Sequence, residues 1–210
     1  MPKLTPARIA DAALTLGDRD GPAAMSMRRI ATDLGCDPMA IYRHFPNREA
    51  LLDAVADLAL TDVTDPGPGL PWDQRLSAIL GAVRAAALRH PGIAAHIAAR
   101  PPLGPQGLRL AAGLTASLTE AGLSPSAVVQ TMQTLIAYVA AALAMADNAG
   151  VRDERWHQVS QAISGLPGSA VPAGTLPVVG SLEQFDYGLR LLLHGIRAEA
   201  GRGPGRRGAE

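Results

Sequence analysis

The stretch Ser26–Phe45, SMRRIATDLGCDPMAIYRHF, holds two short helical patterns on either side of one glycine. Met27, Ile30, Ala31 and Leu34 recur at i, i+3, i+4 and i+7, the spacing of an amphipathic helix with a narrow apolar stripe. Ser26 precedes the stripe as a capping hydroxyl. Gly35 follows it, where a left-handed C-terminal turn favours a residue without Cβ. Asp37-Pro38 opens a second helix of about two turns, and Pro46 closes it. That helix buries Ile41 and Phe45, so Pro38, Met39, Ala40, Arg43 and His44 project outward. A helix this short does not hold together alone in water. Its neighbours must dock it and leave its outer face free for a partner.

Working outward, Thr5-Pro6 supplies a cap and a first-turn proline for a helix carrying Ile9, Ala13 and Leu16. Asp20-Gly21-Pro22 stops it. Asn47 caps a fourth helix with an apolar face of Leu51, Leu52, Val55 and Leu58, expected to end near Thr64. Asp65-Pro-Gly-Pro-Gly-Leu-Pro71 is a loop and marks a domain boundary. Beyond it, helices are expected over 72–90, 92–99, 105–122, 124–148, 152–164 and 181–199, with a Gly/Pro/Val loop over 165–180.

The fold class is therefore all-α: an N-terminal three-helix helix-turn-helix domain, then a larger helical domain. The division expected is 1–64 with its connecting helix, 65–200, and a disordered Gly/Arg-rich tail over 201–210. Composition agrees. The chain has 210 residues, 48% hydrophobic and 18% charged, enough for a substantial core. Aromatics are only 3%, so that core is built from Ala, Leu, Val and Ile. One cysteine, Cys36, excludes an intrachain disulfide and fits a reduced, cytoplasmic setting. The chain opens without the charged and apolar regions of a signal peptide. The apolar run Leu135–Ala146 is too short by itself to span a bilayer.

The formal net charge is zero, which argues against a general coat for polyanions but leaves room for a local reading face. Residues 26–48 contain four Arg and two Asp, a small local excess. Small residues at the start of the second helix allow close approach to base edges in a major groove, where Met or Ala touches a thymine methyl. Arg28 can pair with guanine or phosphate, and Tyr42, Arg43, His44 and Arg48 offer donors to phosphate oxygens. Arg48 also sits in a helix first turn, where unpaired N–H groups favour an anion.

On these residues the sequence closely resembles the TetR family of transcriptional regulators. The family pattern stands here as Ser26-Met-Arg28-Arg-Ile-Ala-Thr-Asp-Leu-Gly35, then Ile41-Tyr42-Arg-His44-Phe45-Pro-Asn47-Arg48-Glu-Ala-Leu51-Leu52. Trp72 with Leu76, Leu88-Arg-His-Pro91, His96 with Arg100-Pro101, Gly122-Leu-Ser and Phe185–Leu193 resemble the tetracycline-repressor subgroup's C-terminal domain. The resemblance implies an Ω-shaped homodimer that binds a palindromic operator and is released when a small molecule enters the larger domain. It places Arg28, Pro38, Met39 and Ala40 against bases, and Tyr42, His44 and Arg48 on the DNA backbone. It also makes His96 and Arg100 effector-binding candidates. In tetracycline-binding members the histidine at the place of His96 helps hold a magnesium–drug complex. Here Ala99 stands at the neighbouring threonine position, and Met145-Ala146 near the acidic one, with no carboxylate until Asp147. These departures speak against a metal–tetracycline ligand, and no cofactor or metal is expected.

The residues carry two further readings. Small residues such as Ala111, Ala112, Gly113 and Ala140–Ala142 leave room between helices for a ligand, with Met132, Tyr138 and Met145 as adaptable walls. In the last helix, Glu183, Asp186, Arg190 and His194 form one polar stripe, while apolar side chains cover most of the remaining circumference. A terminal helix packed on one core needs only one apolar face, so a second chain is expected on the other. Against an enzyme, His44, His90, His96, His157 and His194 show no paired metal-ligand spacing, and no nucleophile elbow or phosphate loop appears. The alternative to a regulator is a helical small-molecule-binding protein that binds no DNA.

Overall fold

In the computed structural model, residues 3–146 and 152–201 are described, and all their regular structure is helical. Expectations for the tail over 202–210 and for Asp147 lie outside these residues. Helix α1 spans Pro6–Asp20, with the Thr5 hydroxyl accepting from Arg8 N–H and Gly21 ending it at φ +85°. A single 3₁₀ turn, Pro22–Ala24, leads to α2, Met27–Asp33, capped by Ser26. Helix α3, Pro38–Tyr42, is capped by Asp37. Helix α4, Arg48–Ala59, is capped by Asn47. The α2–α3 turn is tight for a stated reason. Gly35 takes φ +63°, and Cys36 N–H donates to Ala31 C=O at 2.9 Å while Gly35 N–H donates to Thr32 C=O at 3.2 Å. These two bonds close a glycine C-terminal motif that satisfies carbonyls otherwise orphaned at the end of α2.

Within this first unit two boundaries differ from expectation. Helix α3 is one and a half turns, with looser bonds carrying the chain on to Phe45, whose N–H donates to Ile41 C=O at 3.0 Å. Helix α4 ends at Ala59 rather than near Thr64, unwinding through turns in which Leu60, Thr61 and Val63 donate three residues back.

The second unit holds α5 (Trp72–Arg89), α6 (Pro91–Ala99), α7 (Pro105–Glu120), α8 (Pro125–Ala146), α9 (Glu154–Ser164) and α10 (Leu182–Ala200). The loop before α5 is pinned, not slack. Asp65 receives both Nε and a terminal N–H group of Arg75, at 2.7 and 2.6 Å, and the Gly67 N–H. Its carboxylate lies against Gly113 of α7, where a Cβ would stand 2.4 Å from Asp65 Oδ2. The Arg75 hydrogen bond comes first among the influences that hold the Asp65 carboxyl below the ordinary carboxylate range, against the opposing effect of burial.

Helix α8 is 22 residues long and, taken whole, apolar and long enough to cross a membrane by length and composition. The expectation drawn from Leu135–Ala146 alone does not extend to the full helix. Its core side is Val128, Leu135, Val139 and Leu143, while Val129 and Met145 are exposed. Helix α10 has the same double character. Phe185, Leu189, Leu193 and Ile196 are buried, while Leu182, Tyr187 and Leu191 are exposed.

Candidate nucleic-acid interface and its link to the second domain

The reading helix is held from below and open above. Ile41 is fully buried and Phe45 nearly so, packed in one core with Ile9, Ile30 and Leu51. On the outer side Met39 is 64% exposed and Tyr42 44% exposed. Arg43, His44 and Arg28 are exposed, with Pro38 and Ala40 partly so. Six of the expected reading residues therefore share α3 and the turn after it, and Arg28 stands on α2 beside them. Arg48 does not join them. Its guanidinium donates to Met25 C=O at 3.0 Å and Pro22 C=O at 3.2 Å. It braces the 3₁₀ turn against α4 while staying exposed. The Arg29 guanidinium likewise turns back to Asp20 at 2.6 Å.

The effector candidates divide. His96 and Arg100 both meet Asp53 of α4. His96 Nε2 lies 2.7 Å from Asp53 Oδ1. Arg100 bridges Asp53 at 3.3 Å and Glu49 at 2.5 Å. Burial works to raise the Asp53 carboxyl, but the His96 and Arg100 hydrogen bonds prevail and hold it below its ordinary value. A magnesium–drug site does not fit these side chains, because Asp53 engages His96 Nε2, and Ala99 and Met145 offer no side-chain oxygen. On α8, Met132 and Tyr138 are partly buried against the core, and Met145 is exposed. Tyr138 stacks on Phe185 of α10, with ring centroids 5.5 Å apart. Its hydroxyl donates to Phe185 C=O at 2.7 Å. Burial raises the Tyr138 pKa.

Sequence reasoning missed the acidic stripe of α4. Glu49, Asp53 and Asp57 are four residues apart and all reach the second domain. Asp57 caps α7, accepting from Gly107 N–H at 2.8 Å and Gln106 N–H at 3.3 Å, where the helix dipole favours a negative charge. Their four-residue spacing was visible but reads equally as a solvated face. The start of α6 also touches α1: Nδ1 of His90, just before the helix, lies 2.7 Å from Asp18, and a Cβ on Gly92 would meet Gly17 backbone at 2.4 Å.

A displayed helix on a small head, tied by α4 to a larger helical body, defines the class: a helix-turn-helix regulator with a second, regulatory domain. Residues 9–55 match the family model for bacterial regulatory proteins of the tetR family, and residues 65–200 match the tetracyclin repressor-like C-terminal domain. The chain belongs to the TetR family of DNA-binding transcriptional regulators. It is 30% identical to an HTH-type transcriptional regulator of Saccharopolyspora erythraea, over 95% of this chain and 87% of that protein. Among solved structures, ActR of Streptomyces coelicolor in complex with actinorhodin aligns with TM-score 0.80 and 30% identity, over 96% of this chain and 99% of ActR. BioQ with its double-stranded DNA operator aligns with TM-score 0.67 and 25% identity, over 93% and 99%. Its curated relatives are named regulators and repressors, and it is a regulator rather than an enzyme.

Proposed function

We propose that the protein is a homodimeric repressor that binds a palindromic operator and leaves it when a small molecule enters the second domain. The observation that carries this is the outward face of α3, whose Met39 and Tyr42 are exposed while Ile41 and Phe45 of the same segment are buried. Pro38, Met39 and Ala40 approach base edges, with Arg28 on guanine or phosphate. Tyr42, Arg43 and His44 hold phosphate oxygens. Arg48 braces the reading head, and its exposed guanidinium is a further donor for a phosphate. ActR bound to actinorhodin and BioQ bound to its operator support the two partners by family likeness. Met132, Tyr138 and Met145 remain effector-wall candidates, whereas His96 and Arg100 couple the domains. The second apolar faces of α8 and α10 pair with those of a second copy in a four-helix interface. TetR regulators are soluble DNA-binding proteins, and the cytoplasm is the compartment we assign.

Operator selection from random duplexes tests the reading. The expected result is a palindromic site whose affinity falls steeply as salt rises. Arg28→Ala and Tyr42→Phe weaken binding while the folded signal is unchanged. Wild-type affinity in both variants refutes the assigned face.

A further inference from the structure

The first turn of α3, Asp37-Pro38-Met39-Ala40, has no free hydrogen-bond donor. Pro38 carries no N–H. The Met39 N–H donates to Asp37 Oδ1 at 2.7 Å, and the Ala40 N–H donates to Asp37 C=O at 2.9 Å. The side chains of Pro38, Met39 and Ala40 hold no polar atom except a thioether sulfur, which accepts only weakly. Asp37 is committed to the cap, and its carboxylate accepts but does not donate. The donors of the reading face stand elsewhere. Arg28 is on α2, and Tyr42, Arg43 and His44 lie at the far end of α3 and just past it.

What this turn displays is apolar. Met39 is 64% exposed, with Pro38 and Ala40 partly so on either side of it. Ile41 and Phe45 are held in the core behind, so α3 cannot roll Met39 inward without exposing them. An unbranched thioether adapts its shape to a small apolar target. In the major groove every base-edge group that discriminates is a donor or an acceptor, except the C5-methyl of thymine. An apolar side chain pressed on one of the others strips its water and returns no partner, which is costly.

We infer that Met39, flanked by Pro38 and Ala40, reads a pyrimidine C5-methyl group and not the base that carries it. This rests on the regulator reading given above and adds the chemistry of the operator position beneath α3. A 5-methylcytosine–guanine pair presents the same methyl at the same place in the groove as a thymine–adenine pair, so the reading head accepts either. Recognition of a cytosine-bearing variant of the operator is then switched on by methylation of that cytosine.

Anisotropy titrations of the full-length protein test it, at constant salt, on an operator selected from random duplexes. Each thymine is replaced in turn, in both half-sites, by deoxyuridine, which removes the methyl alone. One position is expected to lose roughly fifteenfold in affinity, about fourfold from each half-site. At that position a cytosine–guanine pair is also weak, and 5-methylcytosine restores roughly the same fifteenfold. Met39→Ala keeps its folded signal, since the side chain is exposed, and both methyl increments shrink to about twofold or less. Four results overturn the inference: no deoxyuridine-sensitive position, a 5-methylcytosine pair no tighter than cytosine, undiminished increments in Met39→Ala, or a plain cytosine pair as tight as thymine. The last would mean that Asp37 reads the cytosine amino group. A tight, salt-sensitive operator without methyl increments overturns this inference and leaves the regulator reading standing. Failure to select any operator overturns both.

Discussion

At the scale of single residues, the chain spends its charges on position. Arg48 belongs to a motif that the resemblance assigns to the DNA backbone, and its guanidinium also spans 23 and 26 residues of sequence to hold the carbonyls of Met25 and Pro22. Asp65 and Arg75 pin the interdomain loop through a two-point pair with little exposure. Asp65→Asn leaves that guanidinium without its anion, at a cost of about 3 kcal/mol at neutral pH. Because the folded carboxyl titrates below its ordinary value, the pair stabilises fully above the ordinary carboxylate range. Its contribution fades as pH falls through the lower, folded value. Denaturant titrations of wild type and variant should therefore converge as pH drops from 7 toward 2. A gap that stays constant over that range contradicts the assignment. Gly92 makes a different demand, for space. Any side chain there enters Gly17 backbone, so Gly92→Ala should cost about 1–3 kcal/mol by the same measurement.

At the scale of elements, α4 is both the last helix of the reading head and the first contact of the body. Its caps and apolar face were legible, since Asn47, Leu51, Leu52 and Val55 sit where local rules put them. Its acidic side was not. Glu49, Asp53 and Asp57 find their partners 43 to 51 residues away, on α6, on Arg100 just after it and on the first turn of α7. Periodicity locates a polar face but does not name what lies against it. The consequence for regulation is specific. If α6 moves when the effector binds, the Asp53 contacts carry that motion to α4. Asp53→Asn should bind operator within a few-fold of wild type but need substantially more effector for release. Gel-shift titrations with and without effector read both quantities. An unchanged effector dose–response refutes the coupling role.

For the whole molecule, one chain leaves an imbalance of apolar surface. Tyr187 and Leu191 are 57% and 54% exposed, one turn apart on α10, and Val129 of α8 is half exposed. A second copy resolves this. Leu191→Arg places a charge in that interface and should produce a monomer by light scattering at micromolar concentration. Operator affinity should fall at least tenfold, because the two half-sites are then no longer held together. A dimer of unchanged affinity would move the interface elsewhere.

The sequence by itself determined the all-helical class, the order of the ten helices among the described residues and the display of α3. Those features follow from caps, stop signals and apolar spacing, which act within a few residues of chain. Only the tertiary structure decided what the charged side chains do. It tied Arg48 to the Pro22 and Met25 carbonyls, joined His96 and Arg100 to Asp53, and buried Arg84 between Gly180 C=O and the Phe185 ring. The reason is physical. A charge is committed by whichever partner comes within hydrogen-bond reach, and that distance is set by packing between helices far apart in the chain.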